Sequence, residues 1–114
     1  MKKKDILHIE KLISEADFEG TPEIYNALFE TLKGMEEKYP NNFDLLYYQG
    51  LVCYQHPDID EFRIKWALKF FNKVLELNPN HLFSKIYSGF CNYDLGHYSV
   101  ALNLFKEILA TKQN

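Results

Sequence analysis

Two offsets recur when the chain is laid against itself. Pro40 and Pro79 stand 39 residues apart, and Gly50 and Gly89 repeat that spacing. Ala67 to Ala101, Leu68 to Leu102, Phe71 to Phe105 and Leu75 to Leu109 are each 34 apart instead. Two offsets within one unit mean that the earlier copy carries about five extra residues between its halves, in the turn His-Pro-Asp-Ile-Asp at 56–60. The underlying period of 34 residues suits one helix–turn–helix unit. Such units must stack, because no single one can bury its apolar stripe alone.

The local pattern agrees. Ile6, Ile9, Leu12, Ile13 and Ala16 fall at spacings of three and four, which predicts a helix over about 4–17 that Gly20 closes. Thr21-Pro22-Glu23 opens a second helix with a capping hydroxyl and a proline in the first turn. It carries Tyr25, Leu28, Leu32 and Met35 on one face and should run to Tyr39-Pro40. Asn41 or Asn42 can cap a third helix over about 43–55, which ends at His56-Pro57. A fourth, over about 59–77, starts from Asp58 or Asp60 and stops at Asn78-Pro79. The fifth spans about 80–95 up to Gly96, and the sixth about 98–112. No strict alternation and no Asn-Gly or Asp-Gly turn argues for a hairpin of strands. The expected fold is all-α: one domain of three stacked antiparallel helical hairpins, at about 4–39, 43–78 and 80–112.

Residues 85–105, KIYSGFCNYDLGHYSVALNLF, carry a more specific signature. The segment resembles a tetratricopeptide repeat: a small residue in the first helix, Gly before an aromatic in the turn, then Ala and a large apolar residue in the second helix. Gly89, Gly96, Tyr98, Ala101 and Phe105 occupy those places, and Gly50, Ala67, Phe71 and Pro79 repeat the match over 46–79. Asn92 and Cys53 stand where the family usually has a large aromatic, and Ile108 replaces a small residue. Residues 4–40 match only through Pro40 and the hairpin pattern. Independently of any family, a glycine inside a helix costs about 1 kcal/mol against alanine, so two at matching places need a packing reason. The expected reason is close helix approach, with Gly89 beside Ala101 and Phe105 filling the wedge one turn on.

Composition narrows the function. A net charge of −3 argues against nucleic acid, and the only basic run, Lys2-Lys3-Lys4, reads as a solvated end. Met1–Ser14 lacks the uninterrupted apolar run of a secretory signal, and no stretch approaches the ~18 apolar residues of a membrane span. Cys53 and Cys91 sit among apolar residues without Cys-x-x-Cys spacing, which predicts buried free thiols in a reducing cytoplasm. His8, His56, His81 and His97 belong to different helices or turns, and none has a catalytic motif around it. His56, Asp58, Asp60 and Glu61 share the inserted turn, but acids at a helix start are already explained by capping and the helix dipole. No metal, cofactor or catalytic residue is expected.

The resemblance implies a site instead. The first helix of each repeat would line a concave face, placing Asp44, Tyr47, Leu51, Tyr54 and Gln55 beside Phe83, Ile86, Phe90, Tyr93 and Asp94. Seven of these ten are large rings or aliphatics where solvated residues are the norm. Three readings are open: a groove for a partner's amphipathic segment, a core covered by the first hairpin, or a self-association surface. Tyr47, Leu51, Ile86 and Phe90 replace the lysine and asparagine clamp of the family's chaperone-cofactor members, which argues against an acidic peptide tail as the ligand.

The sixth helix is apolar around most of its circumference, through Val100, Ala101, Leu102, Leu104, Phe105, Ile108, Leu109 and Ala110. It expects cover from a second copy, making a homodimer, or from a partner, unless Leu102 and Leu109 are simply exposed. The expected function is non-enzymatic protein or peptide binding in the cytoplasm. Narrower alternatives are an immunity protein that neutralises a basic toxin, or a dedicated chaperone for a secreted subunit. Enzymatic activity dependent on His56 or Asp58 is the remaining class.

Overall fold

The computed structural model describes the backbone of residues 1–113 and the side chains of residues 1–111. Those residues form six helices and no strand: α1 (Lys3–Glu19), α2 (Pro22–Gly34), α3 (Phe43–Tyr54), α4 (Glu61–Leu77), α5 (Leu82–Asp94) and α6 (Tyr98–Gln113). Each helix packs on the next, so α1–α2, α3–α4 and α5–α6 are hairpins stacked through α2 on α3 and α4 on α5. The second and third hairpins close tightly. The first is looser.

The caps explain the starts. Thr21 Oγ1, Asn42 Oδ1 and Asp60 Oδ1 accept from the backbone N–H three residues on, and His81 Nδ1 does the same for Ser84. Asn42 rather than Asn41 is thus the cap of α3, while Asn41 takes the left-handed conformation at φ 52°. Asp60 rather than Asp58 caps α4, so that helix begins at Glu61 and not near residue 59. Gly96, at φ 83°, reverses the chain between α5 and α6.

α2 is the clearest departure from expectation. It stops at Gly34, five residues before Tyr39. Glycine weakens the helix there, and the following residues find better partners outside it. Tyr39 Oη donates to Asp5, Lys38 pairs with Asp5 at 3.1 Å, and Glu36 accepts from Gln49 Nε2 at 2.8 Å. The segment therefore clips α1 to α3 instead of extending α2.

Two clusters make the core. One joins Ile9, Ile13, Ala16, Tyr25, Leu28 and Leu32 of the first hairpin to Leu45, Leu51 and Val52 of α3. The other is Cys53, Ala67, Phe71 and Cys91, with the Phe71 ring stacked on Tyr87 at 5.5 Å. Both thiols are buried and unpaired, and burial pushes each up to about 12, so they act as small apolar groups.

The repeated glycines have a geometric reason that differs in detail from the expected one. A Cβ on Gly50 would lie 2.8 Å from Phe71 Cε1, and one on Gly89 would lie 2.6 Å from Phe105 Cε1. The three atoms nearest to the Gly89 position all belong to Phe105, not to Ala101. Each glycine is thus the seat of a phenylalanine ring from its partner helix. The same seat occurs twice, displaced by the extra residues of the 56–60 turn.

Candidate functional site

A cleft of about 490 Å³ opens between α1, α3 and α5, the first helices of the three hairpins. It lies within the ~300–1,000 Å³ usual for binding concavities. Asp44, Tyr47, Leu51 and Phe83 line it together. The helical period places Asp44, Tyr47 and Leu51 on one face of α3, each three or four residues after the last. α1 contributes Glu10, Ile13, Ser14 and Asp17, which the sequence reading did not assign to the face. Glu10 and Asp17 stand seven apart on one helical stripe, a signal that was there to be used.

The remaining residues of the row continue beyond the cleft along α3 and α5 rather than sharing it. Tyr54 Oη donates to Asp94 Oδ2 at 2.8 Å and so ties the far end of α3 to that of α5. Phe90 leans on Tyr87 and Phe105, each ring centre 5.8 Å away, and Tyr93 packs against Tyr98 at 5.3 Å. Tyr87 is the hub the pattern missed: its ring meets Tyr47, Tyr54, Phe71 and Phe90.

Exposure divides the row. Leu51, at 8%, is packed into the core cluster that α3 shares with the first hairpin. Asp44, Tyr47, Tyr54, Gln55 and Ile86 are half-buried. Phe83 at 58%, Tyr93 at 59% and Phe90 at 41% remain open to solvent, and Asp94 is exposed beside them. The face is sealed where α1 crosses it and bare along α5.

Its charge has one sign. Glu10, Asp17 and Asp44 line the cleft with neither lysine nor arginine among them. Tyr48 Oη donates to Glu10 Oε1 at 3.1 Å, and Tyr25 Oη donates to Asp17. Burial, the Tyr87 ring hydroxyl and the Glu10 carboxylate hold Tyr47 up at about 12, and burial with Glu10 raises Tyr48 as well. The phenols therefore stay neutral donors beside fixed carboxylates.

Two histidines are held neutral by burial. His56 is 4% exposed; its Nδ1 accepts from the Asp58 N–H at 3.0 Å, so Nε2 carries the proton and donates to Asn26 Oδ1 at 2.9 Å. His81, the cap of α5, lies 5.1 Å from the Tyr47 ring. Desolvation lowers both below their ordinary 6.5, opposed by Asp58 and Asp60 at His56 and by Asp44 at His81. As pH falls through the ordinary value, the unfolded chain takes up these protons before the native one does. Stability present above about pH 6.5 is expected to be lost on further acidification, before ordinary carboxylates titrate. Melting curves from about pH 7.5 to about pH 5 check this, and His56→Gln should flatten the acid limb.

Asp60 is committed to its cap and His56 to its two bonds. Among the described residues, no group of three or more His, Cys, Asp or Glu side chains is placed to hold a metal ion. Nor is any helix long and apolar enough to cross a membrane. On α6, Ala101 and Ile108 are buried, while Val100, Leu102 and Leu109 are about half exposed, at 49%, 54% and 58%. No protein-family model matches the chain, and no curated protein matches it in sequence.

Proposed function

We propose that the protein is a tetratricopeptide-like binding module whose concave face takes an amphipathic, basic segment of another protein. One observation carries this reading: an open row of rings, Phe83, Phe90 and Tyr93, runs into a cleft whose charged side chains are all acidic. Bare rings of this size along one helix favour burial against a partner. A helix laid in the groove would set apolar residues on the rings and lysines or arginines toward Glu10, Asp17 and Asp44. The one-signed lining would speed encounter as well as fix orientation.

Burial of both free thiols supports a reducing, cytoplasmic setting. The acidic lining also favours a narrower form of the same reading, neutralisation of a basic toxin by covering its basic surface.

Selection from a displayed library of amphipathic helical peptides tests the proposal. Enriched peptides should carry Lys or Arg on the polar face, weaken with added salt and fail to bind the Phe83→Asp protein. Enrichment of acidic peptides, or binding indifferent to Phe83→Asp, would remove the concave face from the mechanism.

A further inference from the structure

The opposite side of the stack holds a second concavity of about 490 Å³. α2 and α4 each pack on α3 and leave a trench between them. Val52, Cys53 and His56 of α3 form its floor, Tyr25 and Phe29 one wall, Trp66 and Phe70 the other. The Phe29 and Trp66 rings meet across it at 4.7 Å, and Phe29 also reaches Phe70 at 6.1 Å. A slot walled by rings and floored by a valine, a thiol and a neutral imidazole takes a flat apolar group.

The inserted turn gives the trench its polar end. The extra residues at 56–60 seat His56 against Asn26 and start α4 so that Arg63 faces the same space. Four charged side chains line the trench. Glu30, Lys33 and Glu36 are exposed to water, whereas Arg63 is half-buried. Among the described residues Arg63 makes no ion pair and its guanidinium no hydrogen bond, although its charge is felt at both His56 and Cys53. Of the trench carboxylates, Glu36 accepts from Gln49 Nε2 at 2.8 Å. A half-buried guanidinium with no ion pair and no side-chain hydrogen bond of its own offers its N–H groups to a carboxylate from outside. His56 cannot serve that purpose, because both ring nitrogens are used and the ring is neutral.

We infer that this trench is a binding site for a small aromatic carboxylate, with the ring laid over Val52, Cys53 and His56 against the Phe29–Trp66–Phe70 cluster and the carboxylate on Arg63. It is separate from the concave face and independent of the reading given to that face.

Trp66 is the chain's single tryptophan, so its emission reports on this wall and on the neighbouring face that it shares with Phe62, Lys65 and Lys69, and the Arg63→Gln variant separates the two. Hydrocinnamate and its uncharged amide are the matched probes, titrated into the intact protein to millimolar concentration with calorimetry as a second readout. The acid should change Trp66 emission saturably and bind about tenfold or more tightly than the amide, as a charge-assisted bond requires. Arg63→Gln should bring the acid down to the level of the amide, leave the amide unchanged and leave the melting temperature near that of the parent protein. Equal binding of acid and amide, or a preference for the acid that survives Arg63→Gln, would overturn the carboxylate seat. Absence of saturable binding by either probe in both readouts would overturn the site itself.

Discussion

Phe71→Ala is expected to lower the unfolding free energy by about 3–5 kcal/mol, the range for deleting a fully buried ring. Phe71 has no exposed surface, stacks on Tyr87 and fills the seat provided by Gly50. Against a total stability of roughly 5–15 kcal/mol this is a large fraction. Chemical denaturation should show the midpoint falling without a change in the slope.

The companion substitution reads the same contact from the other side. Gly50→Ala would bring a methyl within 3.1 Å of Phe70 Cβ as well as onto the Phe71 ring, and Phe70 Cβ is tied to the α4 backbone. Overpacking of about 1–3 kcal/mol should exceed the roughly 0.5–1 kcal/mol that a helix gains when alanine replaces glycine. For Gly89→Ala the three nearest atoms all belong to the far part of the Phe105 ring, a side chain half-buried on the last hairpin rather than fully buried like Phe71. That variant should be close to neutral. Equal losses from Gly50→Ala and Gly89→Ala would show that the two seats are equally rigid and contradict the difference in burial.

This asymmetry marks how far the sequence could be read. The offsets of 39 and 34 residues located both glycines, both phenylalanines and the extra turn, because these recur at fixed places in each unit. The expected neighbour of Gly89, however, is Ala101 and not the Phe105 ring that sits there. Helix positions followed from the three-and-four spacing and from side-chain caps, which are local. The end of α2 was not legible. Tyr39 and Lys38 leave the helix for Asp5, more than thirty residues away, and no local pattern announces such a partner. The concave row was half legible for a related reason. A single helix shows which of its residues share a face, but not which neighbour crosses it. Burial of Leu51 by the first hairpin and openness of Phe83 depend on where α1 lies, and α1 belongs to the third of the chain with the least repeat character. Asn92 shows the same limit. It looks out of place against the family pattern, yet its amide donates to the Ser88 carbonyl at 2.8 Å and its Oδ1 lies 3.1 Å from His97 Nδ1, which ties down the turn at Gly96.

The split along the concave row yields the functional prediction with the largest expected effect. If the proposed capture of a basic amphipathic segment operates, Phe83→Ala should weaken it by about 2 kcal/mol or more, roughly thirtyfold, as for an anchoring ring at an interface. Its melting temperature should hardly move, because the ring is more than half exposed and its nearest aromatic partner, Tyr47, lies 6.3 Å away. Leu51→Ala should do the reverse. That side chain is 8% exposed and part of the first core, so its loss should cost about 2–5 kcal/mol of stability and affect binding mainly through the unfolded fraction. Phe90 is the less decisive test, since its ring also supports Tyr87 and Phe105. Isothermal titration of the selected peptides, run beside thermal melts of the same preparations, separates the two effects. A Phe83→Ala protein that melts early yet binds normally would make the ring a structural element and leave the cleft without its anchor.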